Sequence, residues 1–356
     1  IAEAGVNHNG DPEKAFKLID IASNAGADAV KFQIFKPENL ATKDTAKADY
    51  QMRLTDKRES HLEMLKNLSL PNSVFKDLSI YAAEKNIEFL STAFDSESLE
   101  FLVNSIGVQR LKIPSGEITN GPFLLDHAAT KKQIIVSTGM ANIEEINEAL
   151  GVIAYGYISN DNAIPNAIDF NEALKSDLAK EILREKVILL HCTSDYPASH
   201  KDINLNAIKT MENTFNLGIG YSDHSLGKNV SLAAVAMGAS VIEKHFTLDK
   251  DLPGPDHRAS LSSEELSEMV SSIRELEIIL GNGDKKPTNS EIKNKAIARK
   301  SLVASKRIKK GEKFSDKNLT SKRPGGGISP MGYWNIIGQK SKNNYNPDEL
   351  INEQED

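Results

Sequence analysis

The sequence predicts an α/β fold, a (β/α)8 TIM barrel followed by a small module of short strands and turns. Two observations carry this. Short apolar runs alternate with amphipathic helical stretches from residue 1 to about residue 280, in eight strand–helix units. That is the unit number, and near the typical length of roughly 250 residues, of a closed parallel barrel. After Leu280 the rhythm stops, and a polar, Gly- and Pro-containing stretch leads into a segment too small for another barrel.

The elements follow in order. Ile1–Gly5 reads as the first strand. Asp11 is a good N-cap and Pro12 a good first helical residue, so a helix is expected over Pro12–Ala25. Further strands are expected at Ala29–Ile34, Glu88–Ala93, Arg110–Ile113, Gln133–Ser137, Val187–His191, Leu217–Tyr221 and Val241–Lys244. Helical patterns separate them, among them Ser96–Ile106, Ile143–Ala154, Leu205–Phe215, Asn229–Met237 and Ser262–Leu280. A doubly wound open sheet uses fewer strands and a Gly-rich first turn that this chain lacks. The expected division is a barrel over 1–283, a linker over 284–297 and a compact module over 298–356.

Two segments interrupt the rhythm. Residues 35–60 follow the second strand and therefore lie on the C-terminal face, where barrel active sites sit, as a candidate lid. Residues 155–181 lie between a helix and the next strand, on the opposite face, and read as structural or interfacial.

Composition narrows the function. With 356 residues, 39% of them hydrophobic, the chain can bury a full core. A net charge of -7 and a pI near 5.7 argue against a nucleic-acid binder. Any anionic ligand must instead meet a local cluster of cations and N–H groups. Cys192 is the sole cysteine, so no intramolecular disulfide forms, and no apolar run reads as a signal peptide or membrane span. A reducing cytoplasm is the expected location. The chain opens on "IAEAG" within a strand and without methionine, so native residues are expected to precede it.

Almost every expected strand ends in polar groups that a core does not need. They are Glu3; Lys31 and Gln33; Ser91 and Thr92; Lys112, Ser115 and Glu117; Ser137 and Thr138; His191, Ser194 and Tyr196; Ser222, Asp223 and His224; Glu243 and His245. A single strand-end Lys or Ser is more often a solvated cap. On a barrel, however, all of these converge on one mouth. Strand alternation sends Lys31 and Gln33 to one side, and likewise Glu243 and His245, with Lys244 pointing away. His224 and His245 end neighbouring strands, so they read either as two imidazoles in range of one ion or as unrelated loop histidines. Lys31, Lys112, Ser115, Ser137 and Ser222 form a donor cluster suited to a phosphate and a carboxylate. Cys192 reads as a small buried hydrophobe and His8 as an organiser of the Asn9-Gly10 turn.

The motifs "IAEAGVNHNGD", "ADAVKFQ", "FLSTAFD", "KIPSGEITN", "STGM", "LLHCTSDYP", "GYSDHS", "EKHFTLDKDLPGPDH", "ARKSLVASKRIKKGE" and "KRPGGGISP" together resemble the sialic acid synthase family. The resemblance covers nearly the whole chain, and its specificity lies in ten motifs in the family's order. It implies a phosphoenolpyruvate-condensing barrel with a C-terminal antifreeze-like (SAF) domain, acting on an N-acylated mannose-type sugar. It implies Mn2+, or another divalent cation, on His224 and His245, and phosphoenolpyruvate on Lys31, Thr92, Lys112, Ser115, Ser137 and Ser222. Ser194 joins that pocket where some members have Asn. Sugar contacts are implied for Glu3, Tyr196, Asp256 and Arg323, and for Gln51 in the long loop, while Glu117 matches the carboxylate that manages protons. A domain-swapped homodimer is implied, with neither nucleic acid nor membrane as partner. The expected activity is N-acetylneuraminate synthesis from N-acetylmannosamine. "ADYQ" and "GISP" look like the bacterial N-acetylneuraminate and diacetyllegionaminate synthases, so 2,4-diacetamido-2,4,6-trideoxymannose is the alternative substrate. A non-catalytic glycan- or ice-binding protein is suggested by the C-terminal module alone, and it leaves the barrel-mouth residues without a purpose.

Overall fold

The computed structural model describes residues 1–42, 45–48, 51–52, 55, 58–159 and 164–352. Eight parallel strands close into one barrel in sequence order. They are β1 (Ala2–Gly5), β2 (Ala29–Ile34), β3 (Glu88–Ala93), β4 (Arg110–Ile113), β5 (Gln133–Ser137), β6 (Val187–Cys192), β7 (Gly218–Asp223) and β8 (Ile242–His245). β1 closes the ring on β8 through the pairs Ala2↔Lys244 and Glu3↔His245. Both faces of such a sheet are covered, which is why its strands read as apolar runs. Ile134, Leu189, Leu111 and Val30 are buried accordingly.

The strand ends depart from the sequence expectation in one direction. β6, β7 and β8 each reach past the predicted ends, to Cys192, Asp223 and His245. The apolar run stops before the ladder does, because polar residues such as Ser222 and Asp223 still pair within it.

The helical layer is anchored by local chemistry. Asp11 Oδ1 accepts from the Glu13 N–H at 2.9 Å and starts the helix Pro12–Asn24. Ser262 and Glu265 form a reciprocal capping box for Ser263–Leu280. Ser96–Glu100 passes into a π-turn over Phe101–Ile106, which ends at Gly107 with φ 80°. Within and just beyond the segment read as an insertion, the helices Ala167–Lys175 and Asp177–Lys186 bury Ala173, Ala179 and Leu183 in the main core. Of the candidate lid, residues 43, 44, 49, 50, 53, 54, 56 and 57 lie outside the described residues.

The chain divides into two compact units, Ile1–Gly281 and Asn282–Asp356. The second has its own core of Leu302, Ala304, Ile308, Phe314, Leu319 and Tyr345 around the antiparallel pair β9 (Ser301–Ala304) and β10 (Leu319–Lys322). The stretch read as a linker is not merely a linker. It carries a helix, Asn289–Ala298, started by a capping box between Thr288 and Glu291. No described helix is long and apolar enough to cross a membrane.

Candidate active site

At the C-terminal ends of the strands lies a cavity of about 370 Å³, within the ordinary range for small-molecule sites of roughly 300–1,000 Å³. Lys31, Thr92, Lys112, Ser115, Ser137, Ser194 and Ser222 line it, as do His224, His245, Glu3, Gln51, Tyr196 and Asp256. Two expected residues are elsewhere. Glu117 follows the cavity-lining Ser115 and Gly116 but does not line the cavity, and its Oε2 accepts from Asn120 Nδ2 at 2.7 Å. Arg323 is exposed in the second unit, just past β10. A further cavity of about 310 Å³ near Ile1 has its charged groups already paired, Arg274 with Asp28 and Arg110 with Glu88.

The floor of the mouth is a buried network of opposite charges. Register places Glu3 beside Lys31 on neighbouring strands, and Lys31 Nζ sits 2.7 Å from Glu3 Oε2. The same ammonium donates to Thr92 Oγ1 at 2.8 Å and lies 3.6 Å from Glu243. Lys112 Nζ donates to Ser137 Oγ at 2.8 Å and stands 3.4 Å from Glu243 Oε1. Ser222 donates to that Glu243 oxygen at 3.0 Å. Glu243 is therefore the hub joining both lysines, a role the sequence reading did not give it. The available signal was its place two residues before His245, on the same strand face.

These neighbours set the charge states. Burial opposes the Glu243 carboxylate, but Lys112 and Lys31 outweigh it and hold its pKa well below the ordinary range. Burial also opposes the Lys31 ammonium, which Glu243 and Glu3 hold above its ordinary value. Lys112 goes the other way, because burial, aided by Lys31, prevails over Glu243 and lowers its pKa. The result is a buried site that gains from an anionic ligand. Glu3 is raised by burial against the pull of Lys31, and burial with the nearby Glu3 charge raises Asp256 to about 7.

Ser115 belongs to a second cluster, at the ends of β4, β5 and β6. Its Oγ accepts from the Gly139 N–H at 3.0 Å and lies 3.1 Å from Cys192 Sγ. Burial raises the Cys192 thiol, consistent with a small neutral buried group rather than a nucleophile. A Cβ on Gly139 would stand 2.3 Å from Ser194 Oγ and 2.7 Å from Ser115 Oγ. A side chain there would push both hydroxyls aside.

The two histidines meet at the other side of the mouth, with ring centroids 5.7 Å apart. Tyr196 stacks on His224 at 4.1 Å and meets His245 edge-on at 5.6 Å. His224 Nδ1 lies 2.7 Å from the Thr193 carbonyl, which only accepts, so this nitrogen carries the proton and Nε2 keeps a lone pair. His245 Nδ1 is buried, has no hydrogen-bond partner and lies 3.9 Å from Asp256. Burial lowers His224 to about 4, and burial with the neighbouring His224 holds His245 well below the ordinary imidazole range, so both rings are neutral near pH 7. Neutral imidazoles suit a divalent cation, and the partner His224 Nε2 would give up for it is a long contact, Ser222 Oγ at 3.3 Å. Among the described residues no group of three or more His, Cys, Asp or Glu forms a metal cluster, so such an ion would be held by two protein ligands. The neighbouring loops are tied down independently. Asn7 Nδ2 donates to the Phe246 carbonyl and Ser260, Asn9 Nδ2 donates to the Pro253 carbonyl, and the Gly10 N–H donates to His8 Nδ1 at 3.1 Å.

A closed barrel carrying two buried lysines, converging hydroxyls and two neutral imidazoles at one mouth defines a barrel enzyme for anionic, oxygen-rich substrates. Residues 18–285 match the NeuB family model and residues 299–354 the SAF domain model. The chain belongs to the NeuB family and is a phosphoenolpyruvate-using transferase that forms a C–C bond. It is 49% identical to the N,N'-diacetyllegionaminic acid synthase of Campylobacter jejuni over 99% of this chain and 98% of that protein. It is 45% identical to the synthase of the same name from Legionella pneumophila, over 96% and 89%. It also resembles the crystal structure of N-acetylneuraminic acid (sialic acid) synthetase from Leptospira borgpetersenii in complex with citrate. That match has a TM-score of 0.65 and 34% identity, covering 82% of this chain and 88% of that one.

Proposed function

We propose that the chain condenses phosphoenolpyruvate with 2,4-diacetamido-2,4,6-trideoxymannose and water, giving N,N'-diacetyllegionaminate and phosphate. The observation that carries this choice of sugar is the two-sided cavity. Opposite the charged floor stands an apolar wall built from Val6, Phe35, Met64, Leu65 and Leu68, with Leu40 and Phe94 against it. A deoxy carbon and two acetamido methyl groups offer such a wall more than a sugar with a free 6-hydroxyl does. The names of the Campylobacter and Legionella relatives support the same reading. The likeness to the Leptospira enzyme supports the second reading, N-acetylneuraminate synthesis from N-acetylmannosamine.

The chemistry follows from the groups at the mouth. Lys31, Lys112, Thr92, Ser115, Ser137, Ser194 and Ser222 hold the phosphate and carboxylate of phosphoenolpyruvate. Glu3, Gln51, Tyr196 and Asp256 bind the sugar. C3 of phosphoenolpyruvate attacks the open-chain aldehyde, C2 becomes cationic, and water adds there. The tetrahedral product then loses phosphate by C–O cleavage, with the lysines stabilising the departing charge. Glu117, whose carboxylate bonds Asn120 just outside the cavity, would turn inward to take the proton from the adding water and pass it to the alkoxide left by the aldehyde. His224 and His245 would hold Mn2+ or another divalent cation, which supplies Lewis acidity to the sugar's carbonyl oxygen.

A comparison of kcat/KM for the two sugars tests the substrate. The trideoxy sugar is expected to win by a factor of roughly 10–200, the usual worth of a methyl-sized group in an apolar pocket. Equal values, or a preference for N-acetylmannosamine, would move the assignment to N-acetylneuraminate.

The exposed Arg323 completes the sugar site of a second subunit in a domain-swapped homodimer, presenting a fixed multi-donor cation to an acyl oxygen. Glu117→Gln is expected to lower kcat by about 10²–10⁴ with little change in phosphoenolpyruvate KM. Arg323→Ala is expected to raise the sugar KM instead. Mixed and allowed to exchange subunits, the two impaired chains should regain activity, since one barrel of each mixed dimer has both groups. No recovery despite demonstrated exchange rules out the shared site, and an unchanged kcat in Glu117→Gln transfers the proton role to Asp256.

A further inference from the structure

The residues immediately before the two histidines face away from the mouth and form a second buried network. Register pairs Ser222 with Glu243 and Asp223 with Lys244. Strand alternation turns the first pair inward and the second outward. On that outer side Asp223 meets Ser231 of the helix Asn229–Ala236, whose Oγ donates to Oδ2 at 2.6 Å.

The outer pair is an ion pair of 3.0 Å with both side chains 0% exposed. Asp223 Oδ1 accepts from both the N–H and the hydroxyl of Ser225, at 2.8 and 2.7 Å. Lys244 Nζ donates to the Ser225 carbonyl as well. The backbone that carries His224 is thus gripped on both sides, by Asp223 before it and Ser225 after it. The lysine that grips both is the residue before His245.

Stability alone is a poor reason for two charges in a barrel wall. Replacing a buried ion pair by apolar residues of similar volume is often neutral or stabilising, because desolvation consumes most of the Coulomb gain. What an apolar pair cannot provide is directional bonds that set one strand end against the next. We propose that Asp223, Lys244 and Ser225 form a positioning bracket. It fixes His224 relative to His245 and so sets the affinity of the mouth for a divalent cation. This rests on the two-histidine reading above.

The test measures Mn2+ binding to the full chain by the loss of the free-ion EPR signal, alongside 15N-histidine NMR of the metal-free chain. Wild type is expected to bind Mn2+ and His224→Ala to lose binding. Asp223→Asn and Lys244→Met should each weaken binding by about 10–100-fold, the usual effect of removing outer-layer support from a metal ligand. The double variant should be little worse than either single one, since the groups act as a unit. In the metal-free spectra, wild-type His224 should show one tautomer, protonated at Nδ1, and both charge variants a mixture.

Folded Asp223→Asn and Lys244→Met chains that bind Mn2+ as wild type does would overturn the bracket alone. If wild type and His224→Ala bind alike, the metal reading fails, and an unchanged His224 tautomer in both variants then overturns the bracket on its own terms. Should the charge variants not fold, Ser225→Ala keeps the ion pair and is read the same way. A several-fold loss supports the bracket, and wild-type affinity with an unchanged tautomer rejects it.

Discussion

Chelation of divalent cations is expected to abolish turnover and Mn2+ to restore it, while His224→Ala and His245→Ala stay inactive with or without added metal. The expectation rests on two imidazoles kept neutral by burial, one of them with its tautomer fixed by the Thr193 carbonyl. With no group of three or more His, Cys, Asp or Glu arranged as a metal cluster among the described residues, the ion keeps open positions and should be removable by EDTA. Lewis-acid activation of a carbonyl is worth several kcal/mol, and each 1.4 kcal/mol is tenfold, so the loss should be about 10³-fold or more. Wild-type rates in both alanine variants after EDTA treatment would show that the histidines hold no catalytic ion.

Lys112→Met is expected to lower kcat/KM for phosphoenolpyruvate by roughly 10²–10⁴, the equivalent of about 3–5 kcal/mol for truncating one partner of a buried charge pair. Two quantities decide against a smaller effect. The ammonium is buried, which lowers its pKa, and among the described residues its side-chain partners are Glu243 at 3.4 Å and Ser137 at 2.8 Å. An arriving phosphate or carboxylate therefore supplies counter-charge that the empty network lacks. The methionine keeps the length of the stem and removes only the charge. A phosphoenolpyruvate KM within twofold of wild type, in a folded variant, would mean that Lys112 serves the barrel wall rather than the substrate.

Much of this site was legible because barrel topology converts strand ends into a single place. β2, β3, β4 and β5 begin and end where the apolar runs do. β7 does not, because Ser222 and Asp223 are polar yet still in the ladder, and an apolar run cannot announce such a tail. Side-chain bonding was out of reach for the same reason. "SDHS" and "EKH" show which groups exist, but the outward grip of Lys244 on Ser225 depends on the register of two strands twenty residues apart. Glu117 was placed at the site by its motif, whereas the short turn over Ser115–Glu117 leaves its carboxylate with Asn120. The helix Asn289–Ala298 was hidden by its composition, being exposed along its whole length. Its Thr288-x-x-Glu291 capping signature was nevertheless readable in advance.

The bare backbone at Gly139 has a consequence for how such a pocket can change over generations. With Ser194 Oγ, Ser115 Oγ and Cys192 Sγ all inside 3.0 Å of where a Cβ would sit, any residue but glycine at that corner forces all three side chains to move. The apolar wall is under no such restriction, since Leu65, Met64 and Leu68 belong to one helix, His61–Leu68, with its own cap, and exchanges of similar volume there usually cost less than about 1.5 kcal/mol. The corner at Gly139 is therefore tightly constrained and the apolar wall more tolerant of exchange, so with the substrates bound as proposed above, new sugars can be admitted by drift on one side without disturbing the chemistry on the other.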